Sequence, residues 1–244
     1  MRDLAVEKII YTLWRAPQYS LDAFAERLRG TVAERLFTLG ARGLQLNLAD
    51  ADVAPAAGLR QENNRPLPDA TLSLWVDSAN TESRRPFDDV LTEVSSRQAA
   101  YLVCESVAIR NTRFPAHPGQ RTHGFSQIAF LSCPPRLTRD AWLDIWRNHH
   151  TRVAIDTQDN FLYVQNLVVR ALTHGAAPLD AIVEEAFPPA AMTDPMAFFD
   201  AVGDEAKFQK NLALMMDSCN RFIDFDKLDV LPTSQYLLKA AAAG

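Results

Sequence analysis

Two stretches decide how this chain is read: IIYTLWRAP at residues 9–17 and QIAFLSCPP at residues 127–135. Each is an apolar, strand-like run that stops at a proline. Three residues beyond Pro17 and Pro135 stand the helix-cap candidates Ser20 and Thr138, and Asp22 and Asp140 follow them, where a carboxylate favours a helix start. Phe24 and Leu28 then correspond to Trp142 and Trp146, and GLQLNL at 43–48 corresponds to FLYVQN at 161–166. Each pair is 118 residues apart (9 to 127, 20 to 138, 43 to 161). A shared order of strand, proline, cap, helix and strand at one offset is an internal repeat.

Each copy reads as one structural unit. In the first, residues 6–14 form a strand, and apolar residues from Leu21 to Leu39 recur every three or four positions, marking a one-faced helix that ends at Gly40. Strands follow at 43–49 and 70–77, separated by a loop at 50–69 that is rich in Pro, Gly and Asn. Pro86 opens a helix bearing Phe87, Val90, Leu91 and Val94, and residues 99–110 close the unit as a strand. The second copy offers a strand at 124–132, a helix at 138–156 and strands at 161–169 and 181–187. Helical segments at 195–202 and 204–217 follow, then an extended tail within 221–238.

This order is the β-α-β-β-α-β ferredoxin-like unit. One such unit leaves a sheet face bare, and a second copy is its natural cover. The fold class is therefore α+β, with two tandem ferredoxin-like units whose sheets pack together as a barrel. The units are residues 1–112 and 124–240, joined by the polar linker 113–123.

Composition narrows the function. The 244 residues are 48% hydrophobic and 23% charged, with a net charge of -5, so the chain is neither disordered nor a basic nucleic-acid binder. No run reaches the roughly 18 apolar residues that span a bilayer, and MRDLAVEKII lacks the apolar core of a secretion signal. A cytoplasmic protein is expected. Cys104, Cys133 and Cys219 form no CxxC pair, and the phosphate-loop, dinucleotide, zinc-protease and hydrolase motifs are absent. No metal site and no cofactor are expected.

Residues 134–166, PPRLTRDAWLDIWRNHHTRVAIDTQDNFLYVQN, resemble the signature of EthD-type proteins in the dimeric α+β-barrel group. The Trp146-to-His150 step, Ala154 and the strand residues Tyr163, Gln165 and Asn166 carry the resemblance, and RFIDF at 221–225 is similar to the family's closing phrase. The likeness covers most of residues 125–230. At the repeat offset, Leu28 and Val32 occupy the places of Trp146 and His150, so the first copy reads as degenerate. The resemblance implies a family dimer fused into one chain, working on a small aromatic or otherwise hydrophobic molecule. A homodimer of the fused chain is compatible with it.

The residues define the expected chemistry. His150 lies one helical turn after Trp146, and a neutral imidazole there suits a general base. Tyr163 would polarise a substrate oxygen, with His149 as a weaker catalytic candidate. Trp146, Gln165, Tyr11 and Trp75 would line the substrate cavity. The expected activity is a cofactor-independent lyase or isomerase of dehydratase type, removing a proton from its substrate. The alternatives are a cofactor-free monooxygenase and a non-catalytic hydrophobic ligand-binding protein.

Overall fold

The computed structural model describes residues 6–63 and 66–241. In the first half, β1 (Glu7–Arg15) leads into α1 (Leu21–Arg27), a π-type turn at Leu28–Val32 and α2 (Ala33–Thr38). Then come β2 (Gly43–Leu48), β3 (Ala70–Val76), α3 (Thr81–Thr92) and β4 (Ser95–Ile109). The second half repeats the plan with β5 (Phe125–Leu131), α4 (Arg139–Asp144), a π-type turn at Ile145–His150 and α5 (Thr151–Thr157). It continues with β6 (Leu162–Ala171), β7 (Ala181–Phe187), α6 (Pro195–Phe198), α7 (Glu205–Phe222) and β8 (Asp229–Lys239).

The caps act as their residue types dictate. Ser20 Oγ accepts the Ala23 N–H at 3.1 Å, and Thr138 Oγ1 accepts the Ala141 N–H at 3.3 Å. The strand ends are tied alike. Asp69 Oδ2 accepts the Arg15 N–H at 2.9 Å, and Asp180 Oδ2 accepts the Cys133 N–H at 2.8 Å. Both π-type turns fall in matching places, so the two halves share even this irregularity.

Among the described residues, eight antiparallel strands close a barrel in the order β1-β3-β2-β8-β5-β7-β6-β4. Each half supplies four consecutive strands, and its two edge strands pair with those of the other half, β2 with β8 and β4 with β6. Closure removes the open edges that two isolated sheets would present.

Alternation sets the layers. Ile9, Tyr11 and Leu13 of β1 pack outward with Phe24, Leu28, Leu36 and Leu91 of the helices. Ile10 points into the barrel and packs with Tyr101, Ile128, Phe130, Ile182 and Leu231. Around the other half, Trp142, Trp146, Met215 and Phe222 cover Tyr163 and Val183. Deeper in the barrel, Glu184 gathers four donors. Gln45 Nε2, Asn47 Nδ2, Ser126 Oγ and Gln235 Nε2 reach its carboxylate at 2.6–2.9 Å. These donors come from β2, β5 and β8, so one buried charge joins the two halves.

Four sequence expectations need adjustment. The repeat is not gapless: Gln45 points into the barrel, whereas Tyr163, 118 residues later, points to the helices. One extra residue before β6 moves the offset to 119, because a one-residue slip exchanges the faces of a strand. The helix assigned to Pro86 begins earlier, at Thr81, with Arg84 bridging Asp88 and the Ala79 carbonyl. The stretch 50–69 contains a 3-10 helix at Ala51–Leu59, capped by Asp50. Finally, residues 221 and 222 end α7, and the last strand starts only at Asp229.

Candidate functional site

The second-half helix is distorted where the sequence singles it out. Across the π-type turn, the Thr151 N–H bonds the Trp146 carbonyl, and the Thr151 hydroxyl donates to that carbonyl at 2.9 Å. Such turns are frequent at functional sites. Trp146, within the turn, is fully buried, and its ring lies 5.2 Å from that of Trp142.

Below it, β6 offers Tyr163 and Gln165 on one face. Trp146 Nε1 donates to the Tyr163 hydroxyl at 3.2 Å, and Gln165 Nε2 donates to the same oxygen at 3.2 Å. Gln165 Nε2 also reaches Thr151 Oγ1 at 2.7 Å, which closes the network onto the helix. Trp146 and Gln165 hold the Tyr163 oxygen in place, and the Thr151 side chain also hydrogen-bonds it. Burial, followed by the nearby Glu185, raises the Tyr163 pKa.

Glu185 of β7 is the residue that sequence reasoning missed. It is the direct cross-strand partner of Tyr163. Burial raises its carboxyl pKa to about 7, partly offset by a hydrogen bond from Asn160 Nδ2 at 3.1 Å. Asn160 Oδ1 is itself buried without a partner. Burial and Glu185 also raise the neighbouring Cys219 thiol to about 12, so that thiol stays protonated. The Glu184–Glu185 pair was visible in the sequence, but the strand is covered on both faces, which buries Glu184 in the barrel and half-buries Glu185 under the helices.

The other expected residues are dispersed. His150 is 8% exposed, with Nδ1 at 2.9 Å from Ser218 Oγ and its ring 4.6 Å from Phe222. Burial lowers its pKa to about 4, so the imidazole is neutral but a weaker base than expected. His149 projects to solvent, 3.6 Å from Asp144. Tyr11 lies in the other half and donates to Asp88 at 2.8 Å. Trp75 sits beneath the Lys8 ammonium, 4.6 Å from the ring centre. Of the seven residues, the structure joins Trp146, Tyr163 and Gln165 in one network; His150 borders it, and His149, Tyr11 and Trp75 lie elsewhere. Among the described residues, no three His, Cys, Asp or Glu side chains converge as a metal site.

Residues 134–226 match the EthD domain family. Among solved structures, the chain is similar to an anthrone oxidase-like protein, with 12% identity, a TM-score of 0.56 and coverage of 100% of this chain and 98% of the other. A proposed monooxygenase from Lactobacillus acidophilus NCFM shows 8% identity, a TM-score of 0.46 and 96% coverage of each chain. Chlorite dismutase from Candidatus Nitrospira defluvii shows 9% identity, a TM-score of 0.46 and coverage of 97% and 93%. No curated protein matches the sequence. With the closed barrel, the full-length likeness to the anthrone oxidase-like protein shows a ferredoxin-like α+β-barrel fold.

The expected cofactor-independent lyase or isomerase is corrected by this comparison, since the full-length likeness in fold is to a protein that carries an oxidase name. Among the described residues, no helix is long and apolar enough to cross a membrane.

Proposed function

We propose that the second half is an EthD-type unit and that the chain is an oxidoreductase of monooxygenase type. Its substrate class is a small electron-rich aromatic molecule with an acidic C–H beside a hydroxyaryl or carbonyl group, as in anthrone-like compounds. The observation that carries this reading is the Glu185 carboxyl, raised to about 7, facing the oriented Tyr163 hydroxyl. The EthD match over residues 134–226, which includes both side chains and the helix above them, supports it. So does the fold likeness to an anthrone oxidase-like protein along the full chain.

Each group has a defined task. Ionised Glu185 takes the proton from the substrate carbon. Tyr163, its oxygen fixed by Trp146 and Gln165, donates its proton to the substrate oxygen on which negative charge develops. The resulting carbanion reduces dioxygen. Overall, a CH2 group and O2 give C=O and water, so one oxygen atom enters the product and the other leaves as water.

The test is oxygen uptake with anthrone-type substrates, with ¹⁸O2 incorporation read by mass spectrometry. Turnover with one labelled oxygen in the product is expected, falling by about 10²-fold or more in Glu185→Gln. Absence of oxygen uptake, or a Glu185→Gln variant that works at the wild-type rate, overturns the reading.

A further inference from the structure

A cavity lies elsewhere among the described residues, at the end of the barrel where β1 and β5 terminate. It has a volume of about 520 Å³ and is lined by Thr12, Trp14, Tyr101 and Phe130 from the barrel and by residues 66–68 and 177–180 from two loops. This volume is in the range of small-molecule sites. The β6–β7 wall separates it from the Glu185–Tyr163 network, because these strands turn opposite faces to the two places.

The mouth is held in shape. Trp14 Nε1 donates to the Pro66 carbonyl at 3.0 Å, and the Tyr101 hydroxyl donates to the Ala177 carbonyl at 2.9 Å. Each loop is thus fastened to the aromatic ring it overhangs. Pro66, Pro68 and Pro178 stiffen the loops further. Little reorganisation is left for a ligand to drive.

The polar groups specify what fits. Arg97 is the direct cross-strand partner of Trp14, and its guanidinium lies over the indole at 4.2 Å. Among the described residues, no carboxylate pairs with it. The mouth's own acids are engaged: Asp180 by Arg139 at 2.6 Å and by the Cys133 N–H, and Asp229 by the Asn63 N–H at 2.6 Å. Lys227, at the end of the 3-10 turn Phe225–Lys227, also lines the mouth but is engaged by Asp224 at 3.6 Å. Flat apolar walls with the Arg97 guanidinium beside them recognise a planar aromatic anion.

We propose that the barrel mouth is a second binding site, for a planar aromatic molecule bearing a carboxylate or a comparable anionic group. The ring system lies against Trp14, Tyr101 and Phe130, and the anion meets the Arg97 guanidinium.

Calorimetric titration of the full chain with 2-naphthoate, and with its methyl ester as the uncharged control, tests this. Naphthoate is expected to bind, and Arg97→Gln to weaken it about tenfold without changing ester binding. Ser132→Trp, which fills the cavity, abolishes binding of both. Glu185→Gln and Tyr163→Phe bind naphthoate like the wild type. Arg97 is exposed at the rim, so its replacement is free of folding effects. The proposal is overturned if naphthoate fails to bind at about 1 mM or if Arg97→Gln weakens acid and ester alike. Loss of naphthoate binding in Glu185→Gln also overturns it, because the probe then occupies the helix-covered site.

Discussion

Tyr163 and Glu185 stand directly opposite each other on β6 and β7, on the face that the helices cover. A phenol and a carboxyl that ionises near neutrality are thereby held side by side under Trp146. If Glu185 accepts the substrate proton, oxygen consumption rises tenfold per pH unit below pH 7 and levels off above it. A steady-state pH profile checks this, and Glu185→Gln is expected to lose that rise.

Stability should respond to pH through two groups of opposite sign. Glu185 has its pKa raised from 4.5 to about 7 on folding, so the folded state holds its proton more tightly. Its contribution is complete below about pH 4.5 and is lost as pH rises to 7, by roughly 3 kcal/mol. His150 has its pKa lowered from 6.5 to about 4, so its contribution is present above 6.5 and is lost as pH falls to 4. In the shared window the two slopes oppose each other. Urea unfolding should therefore show Glu185→Gln gaining stability, relative to wild type, as pH rises from 4.5 to 7. His150→Gln should gain, relative to wild type, as pH falls from 6.5 to 4.

Removing the Tyr163 hydroxyl strands donors. In Tyr163→Phe, the buried Trp146 N–H has no acceptor, whereas Gln165 keeps Thr151. A loss of about 1–3 kcal/mol in urea unfolding is expected. In the Trp146→Phe background the same change should cost less, since the stranded group is already gone, and a double-mutant cycle measures the difference.

The carboxylate of Glu184 holds groups from both halves, so Glu184→Leu should cost about 3–5 kcal/mol by leaving several amide donors buried and unmatched. Glu184→Gln should cost less. Equilibrium unfolding followed by both fluorescence and circular dichroism provides the comparison.

Gly124 enters β5 with φ at +74°, and a Cβ placed there would lie 1.9 Å from the Phe187 carbonyl oxygen. Gly124→Ala combines a disfavoured backbone angle with a clash against backbone. It should lower Tm by more than any surface alanine replacement, as read by calorimetry.

Much of the fold was legible because its signals are local. Ser20 and Thr138 mark helix starts by chemistry that depends on a few neighbouring atoms, and AIVEEAF is a strand at the expected residues, Ala181–Phe187. The site was legible only where it rests on one helix and one strand, which brought Trp146, Tyr163 and Gln165 together. Tyr11 was misplaced because alternation shows that two faces exist without showing which one meets the helices. Glu185 was passed over because a charged pair on an alternating strand usually turns one member to water. In a barrel sheathed by helices, Glu184 is denied that exit and Glu185 is left half-buried.

The strand order has a consequence for how the chain reaches this state. β2 is bordered by β8, with Leu46 facing Tyr236, and β4 is bordered by β6. While the first half is being synthesised, both of its outer strands lack neighbours, and the neighbour of β2 emerges last of the eight. Until then the nascent sheet carries two unpaired rims open to any extended segment nearby. Ring closure is consequently a late, long-range event, and the interval before it is the period in which this molecule is most exposed to aggregation.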